Sequence, residues 1–226
     1  MINIFIGYDV KETVAYHVLS HSLLSRASEP ISISPLRRDL LKPWYTRPRA
    51  TNESTDFSLT RFMVPYLSGY TGYSIFMDCD MLCLTDIIDV FSHIDGTKAV
   101  SVCQHDYVPS TERKFLNQVQ SKYPRKNWSS FMVFNNALCK SLTPDLVNHA
   151  TGLHLHRFEW IEDSLIGTLP LEWNWLVGEY PSTNDPKVLH YTLGTPCFSD
   201  YAKCEYSDVW WEEYRNMREP INTTLE

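Results

Sequence analysis

Apolar residues follow two rhythms along this chain, short unbroken runs and helically spaced stripes. Ile2, Ile4 and Ile6, with Phe5 between them, have the pattern of a buried strand that stops at the polar turn Gly7-Tyr8-Asp9. Val14, Val18, Leu19, Leu23 and Leu24 then recur at helical spacing, which predicts a helix from Thr13 to Arg26. A second apolar run, Ile31 to Leu36, predicts another strand, and strand, helix, strand is the opening of an α/β sheet. Residues 37–56 carry five arginines and lysines and two prolines and read as a long loop, of a length that loops reach when they carry function.

The pattern continues with a helix from Phe57 to Leu67, with Pro65 near its end, and a buried strand from Tyr73 to Met77 that stops at Asp78-Cys79-Asp80. A helix is expected to begin near Asp86, a strand to run from Ala99 to Cys103, and Thr111 to Lys122 has helical period. Ser130 to Phe134 predicts a further strand closed by Asn135-Asn136. Periodicity fades over 150–187, around Trp160, Trp173 and Trp175, before a last strand from Val188 to Tyr191 and a terminal helix from Ser207 to Glu219. With no internal repeat and no linker, the expectation is one α/β domain over 1–226, built on a mostly parallel sheet flanked by helices.

Composition narrows the function. At 226 residues the chain buries an ample core without staples, and 43% hydrophobic with 21% charged residues is an ordinary globular mixture. Twenty basic against 27 acidic residues give −7, which argues against a protein that works by neutralising nucleic-acid phosphates. A small anion held by a local basic cluster or a metal ion remains compatible. Six cysteines without a CxxC pair, several of them in apolar strands, read as reduced core residues. The opening residues lack a basic segment followed by an apolar one, and no run approaches the roughly 18 apolar residues of a membrane span. A cytoplasmic location and no transmembrane segment are therefore expected, and Asn222-Thr223-Thr224 is read as a chance glycosylation pattern.

The chemistry concentrates at Asp78-Cys79-Asp80. Alternation along an extended segment sends both carboxylates to one side, at the carboxyl end of a strand where open α/β sheets place their ligands. Two such oxygen donors suit Mg²⁺ or Mn²⁺ bridging a pyrophosphate, although capping aspartates explain an isolated D-x-D equally well. His17 and His21, four residues apart, lack a third ligand and are read as ordinary surface or core histidines, and His154 and His156 as carrying nothing specific.

The flanking residues resolve the ambiguity. The segment from Tyr73 to Ile87, YSIFMDCDMLCLTDI, resembles the metal-binding segment of glycosyltransferases with the GT-A fold, in particular the retaining family 8 that includes glycogenin and bacterial galactosyltransferases. Upstream, Thr60-Arg-Phe-Met-Val-Pro-Tyr-Leu67 is similar to that family's R-x-x-x-P-x-L helix, and Asp9 to its nucleotide-contacting acidic residue. Downstream, Trp128-Ser-Ser-Phe-Met-Val-Phe-Asn135 resembles F-N-S-G-V-M-L-F-N, with Trp128 at the family's asparagine and Ser130 at its glycine. Ile161-Glu-Asp-Ser-Leu165 and Leu169-Pro-Leu-Glu-Trp-Asn174 resemble D-Q-D-x-L-N and L-P-x-x-W-N, with Glu162 at the glutamine near the reacting sugar. His190-Tyr-Thr-Leu-Gly-Thr-Pro196 resembles H-F-x-G-x-x-K-P-W, whose lysine has no counterpart here.

The resemblance spans about 190 residues in order and implies a set of roles. Asp78, Asp80 and His190 would hold Mn²⁺ or Mg²⁺. Tyr8, Asp9, Arg61, Asp78 and Gly194 would bind a nucleotide-sugar donor, with amides near Gly194 standing in for the missing lysine, and Glu162 and Asp163 would be catalytic. Residues 1–105 would form the donor half and 106–226 the acceptor half. The implied reaction is transfer from a UDP-hexose to a hydroxyl acceptor with retention of anomeric configuration. Of the seven tryptophans, one or two are expected at the acceptor site, with Trp44 a further candidate, and the rest in packing. Competing readings are a non-catalytic sugar-nucleotide or carbohydrate-binding relative and a haloacid-dehalogenase-type phosphatase, which also uses a strand followed by D-x-D. A phosphatase of that type needs Thr or Val where Leu82 stands and a later acidic pair in a glycine-led turn.

Overall fold

A computed structural model describes residues 1–50, 53–107, 113–114, 118–119, 124–181 and 185–219. Strand β1 (Ile2–Gly7), helix α1 (Thr13–Arg26) and strand β2 (Ile31–Leu36) form the opening unit with the bounds that the apolar pattern predicts. Between β1 and α1, Asp9 caps a single 3₁₀ turn by accepting a hydrogen bond from the Lys11 amide. Residues 60–67 form a 3₁₀ turn, Thr60–Met63, followed by the short helix α2 (Val64–Leu67). The expected single helix from Phe57 is thereby divided, because Pro65 fits the first turn of a helix but not its interior.

Strands β3 (Tyr73–Met77) and β4 (Met81–Cys83) bracket the aspartate pair. The Asp86 side chain caps the next turn, a 3₁₀ helix over Ile87–His93, by accepting from the Ile88 amide. Then come β5 (Val100–Cys103), β6 (Arg113–Lys114), β7 (Gln118–Val119) and β8 (Phe131–Asn135). The expected helix from Thr111 to Lys122 lies largely outside the described residues. Its described parts, β6 and β7, pair antiparallel instead, and a short apolar pattern does not separate the two outcomes. Helices α3 (Pro144–His149) and α4 (Gly152–His156) precede β9 (Ile166–Leu169), β10 (Trp175–Leu176), β11 (Val188–His190) and α5 (Ser207–Arg218).

Six strands form the central sheet in the order β2-β1-β3-β8-β5-β9. Only β8 runs antiparallel to its neighbours, so the sheet is mostly parallel, and its Phe131 to Phe134 stretch is buried between β3 and β5. β9 sits at the edge, where Gly167 lies under Ser101; a Cβ there would come within 2.6 Å of the serine Oγ. A smaller sheet, β10-β11-β4, carries the late histidine on β11, and the second aspartate immediately precedes the adjacent strand β4. Helix α5 packs on α1 over Trp210, whose ring stacks on Tyr214 with centroids 5.8 Å apart. Buried Glu213 meets His21 Nδ1 at 2.5 Å and accepts from Arg26 at 2.7 Å, so His21 belongs to a helix–helix hydrogen-bonded contact. All six cysteines are unpaired, and burial pushes the Cys83 and Cys139 thiols up to about 12. Among the described residues, no helix is long and apolar enough to cross a membrane.

Candidate active site

Two short strands bring the site together. β3 ends at Met77, and the Asp78 amide donates to the Ser130 carbonyl at 2.9 Å, which ties the aspartate turn to the start of β8. β4 pairs antiparallel with β11 so that Met81 faces His190, and the Tyr191 amide donates to the Asp80 carbonyl at 2.9 Å. A residue more than a hundred positions later is thus fixed beside the second aspartate by main-chain pairing. Cys79, between the two, turns into the core, where burial pushes its thiol well up, with Glu12, Asp80, Asp78 and Asp9 adding to the effect.

One ligand atom from each of Asp78, Asp80 and His190 lies within 4.8 Å of the others. His190 Nε2 is 3.3 Å from Asp80 Oδ1. On the other side of the ring, His190 Nδ1 is 2.9 Å from Oδ1 of the fully buried Asn174, whose Nδ2 donates to Ser130 Oγ at 2.8 Å. The amide orientation leaves Asn174 Oδ1 as an acceptor, so Nδ1 carries the proton and Nε2 is directed at the carboxylates. That is the tautomer and orientation a metal-ligating imidazole needs. Asn174 stands in the L-P-x-x-W-N segment, yet sequence reasoning gave it no role, because nothing short of the fold links it to His190.

Arg61 completes the arrangement. Its guanidinium is buried between the Phe76 and Phe57 rings, 4.8 and 5.5 Å from their centroids, and Nη1 reaches Asp78 Oδ1 at 2.9 Å and the Ser129 carbonyl at 2.8 Å. It therefore neutralises one carboxylate and fixes its direction. Gly7 makes this packing possible, since a Cβ there would lie 2.3 Å from the Phe57 ring.

These groups open into a cleft of about 420 Å³, whose lining also includes Arg47, Glu53, Lys126, His156 and Thr192. His156, read from sequence as carrying nothing specific, is a half-buried part of the cleft wall. Burial pushes it down to about 3, with the Arg61 guanidinium adding to the effect. A second cavity of about 310 Å³, lined by Tyr8, Arg37, Lys42, Tyr45 and Asp56 among others, shares Arg47 with the first. Tyr8 therefore faces a neighbouring cavity. Asp9 is buried and committed to the Lys11 and Asp56 amides at 3.0 and 3.1 Å. Gly194, at φ +152°, forms the turn after β11, where its amide donates to the Tyr191 carbonyl.

Glu162 and Asp163 are not brought into the cleft. Both are exposed, neither is among the described lining residues, and Asp163 pairs with Arg125 at 2.7 Å. They stand at the start of a 3₁₀ turn leading to the edge strand β9, which turns them outward. No tryptophan lines the cleft among the described residues. Trp173 and Trp210 are core, Trp128 lies under the Arg125 guanidinium, and Trp44 is exposed.

The mostly parallel sheet with antiparallel β8 matches solved glycosyltransferases of the GT-A fold. The structure superposes on the bifunctional glycosyltransferase WbbM with a TM-score of 0.67 at 15% identity, over 95% of this chain and 50% of that one. The chain thus spans half the length of WbbM. It also superposes on galactosyltransferase LgtC, solved in complex with donor and acceptor sugar analogs, with a TM-score of 0.61 at 9% identity and 98% coverage of both chains. In sequence it is 45% identical to Protein CDI of Arabidopsis thaliana, over 97% of this chain and 90% of that protein. The chain belongs to the family of Protein CDI. No family model matches the sequence.

Proposed function

We propose that the protein transfers a hexose from a nucleoside diphosphate, UDP in the first instance, to a hydroxyl acceptor with retention of configuration, using Mn²⁺ or Mg²⁺ held by Asp78, Asp80 and His190. The observation that carries this reading is the convergence of two carboxylates and one correctly oriented imidazole in a cleft at the carboxyl edge of a GT-A sheet. The donor set fits the ion: two hard carboxylate ligands from one D-x-D turn, one nitrogen, and an open cleft for further ligands. When bound, such a cation supplies Lewis-acid stabilisation of a departing diphosphate.

The chain's own residues then have distinct tasks. Asn174 holds the His190 ring, Arg61 holds Asp78, and Arg47 lines both the cleft and the cavity of Tyr8. Residues 1–105 supply the donor side and 106–226 most of the acceptor side. Apart from the metal-ligating pair, the carboxylate lining the cleft among the described residues is Glu53, which is engaged by Arg38 and the Ala50 amide. With Glu162 outside, this supports same-face attack. The acceptor oxygen bonds to the anomeric carbon as its bond to the diphosphate breaks, the electron pair leaves with the phosphate oxygen, and that phosphate takes the hydroxyl proton. Four buried, unpaired cysteines support residence in a reducing compartment such as the cytoplasm.

A thermal-shift screen of nucleotide sugars, with and without Mn²⁺, tests the proposal. A donor at a hundred times its dissociation constant stabilises the fold by about 2.7 kcal/mol. The expected result is stabilisation by one nucleotide series only when Mn²⁺ is present. No shift with any nucleotide sugar, in either condition, overturns it.

A further inference from the structure

The stretch from His190 to Phe198 contains no lysine or arginine, so positive charge for a diphosphate must come from elsewhere in the cleft. Three cations line it among the described residues. They are Arg61, Arg47 and Lys126. The third, Lys126, stands on an unusual turn. Arg125 before it and Asn127 after it both have left-handed backbones, with φ of 61° and 63°. Two non-glycine residues in that region flanking one position persist where the surroundings hold them.

The turn is held on both sides. Arg125 donates to the Arg157 carbonyl and to Asp163, and its guanidinium lies 5.4 Å from the Trp128 ring centroid. Asn127 donates to Tyr107 Oη, and its carbonyl accepts from Ser130 Oγ and from Asn174, the residue that orients His190. The strained turn is therefore hydrogen-bonded to the support of the histidine ligand. We infer that Lys126 is presented to the cleft to neutralise the diphosphate of the donor, a catalytic contact made from the start of β8 in place of a lysine after β11. Lys126 keeps its proton throughout. Its ammonium pairs with phosphate oxygens as negative charge grows on them when the bond to the anomeric carbon breaks, and it takes up no bond of its own.

The inference rests on the donor reading above, and isothermal titration separates the two. UDP, GDP, ADP, CDP and UMP are titrated with Mn²⁺ into the full-length protein and into Lys126→Met and Lys126→Arg variants with unchanged melting temperatures. Losing a charge-assisted contact should weaken the preferred nucleoside diphosphate roughly tenfold to a hundredfold in Lys126→Met. Lys126→Arg should stay within about threefold of the unmodified protein, and the monophosphate should change little in either variant. Equal diphosphate affinity in Lys126→Met, or an equal loss for the monophosphate, overturns the role of Lys126 alone. If the unmodified protein binds none of these nucleotides, the donor reading itself falls.

Discussion

Acidification should destabilise this protein through a histidine that the cleft keeps neutral. His156 lies in the cleft wall with Nδ1 2.8 Å from Ser129 Oγ and its ring edge-on to Phe62 at 5.3 Å. Burial, with a contribution from Arg61, takes it from the usual 6.5 down to about 3. In the unfolded chain it titrates near its ordinary value, so between these two pH values the unfolded state binds one more proton. The stabilising contribution is complete above about pH 6.5 and is lost on the way down to pH 3, at about 1.4 kcal/mol per pH unit. From pH 7 to pH 5 this amounts to about 2 kcal/mol, or roughly 4–8 °C in melting temperature for a chain of this size. His105, lowered to about 3 by burial and then by His190, acts in the same direction. Urea unfolding of the native sequence and of His156→Gln, at both pH values, isolates one histidine. The variant should lose about 2 kcal/mol less between pH 7 and pH 5. An identical loss in both proteins would refute the reasoning, because it would mean that His156 reaches water or protonates in place.

Three further outcomes follow from named contacts. Asn174→Ala should weaken Mn²⁺ binding, read by titration calorimetry with nucleotide present, by about 10–100-fold, whereas Asn174→Asp, which keeps an acceptor for His190 Nδ1, should restore most of it. Gly7→Ala should cost about 1–3 kcal/mol in urea unfolding by driving a methyl into the Phe57 ring, and pairing it with Phe57→Leu should recover part of that loss. Glu162→Gln should leave donor turnover within about threefold of the native value, since the side chain is exposed outside the cleft.

The strand and helix order from Ile2 to Met77 was readable because each element carries its own period and a clear stop, such as Gly7-Tyr8-Asp9 or Asp78-Cys79-Asp80. The aspartate pair was readable because it stands where an apolar strand stops; in the structure the segment is a turn between β3 and β4, with Cys79 buried and both aspartates lining the cleft. Residue 190 joins them through β4–β11 pairing, a long-range register that only the family resemblance suggested. β9 escaped because an edge strand containing Gly167 and an exposed Thr168 has little apolar signal. Glu162 was misplaced for a related reason: the motif around it matches in letters, while the turn before β9 decides which way the side chain faces. Asn174 and His156 have local sequences that look like packing, and their roles exist only in the hydrogen bonds to His190 and Ser129. Between Thr111 and Lys122, the described residues, β6 and β7, pair antiparallel where the pattern predicted a helix.

The central claim, metal-dependent transfer from a nucleotide sugar, is tested most directly by proton NMR of the anomeric signals. UDP- and GDP-sugars are incubated with the protein, an oligosaccharide acceptor panel and either Mg²⁺ or EDTA. The account predicts consumption of one donor only with the metal, a first product of unchanged anomeric configuration, and loss of both in Asp80→Asn. Consumption that persists in EDTA, an inverted first product, or no donor consumed with any acceptor would contradict it.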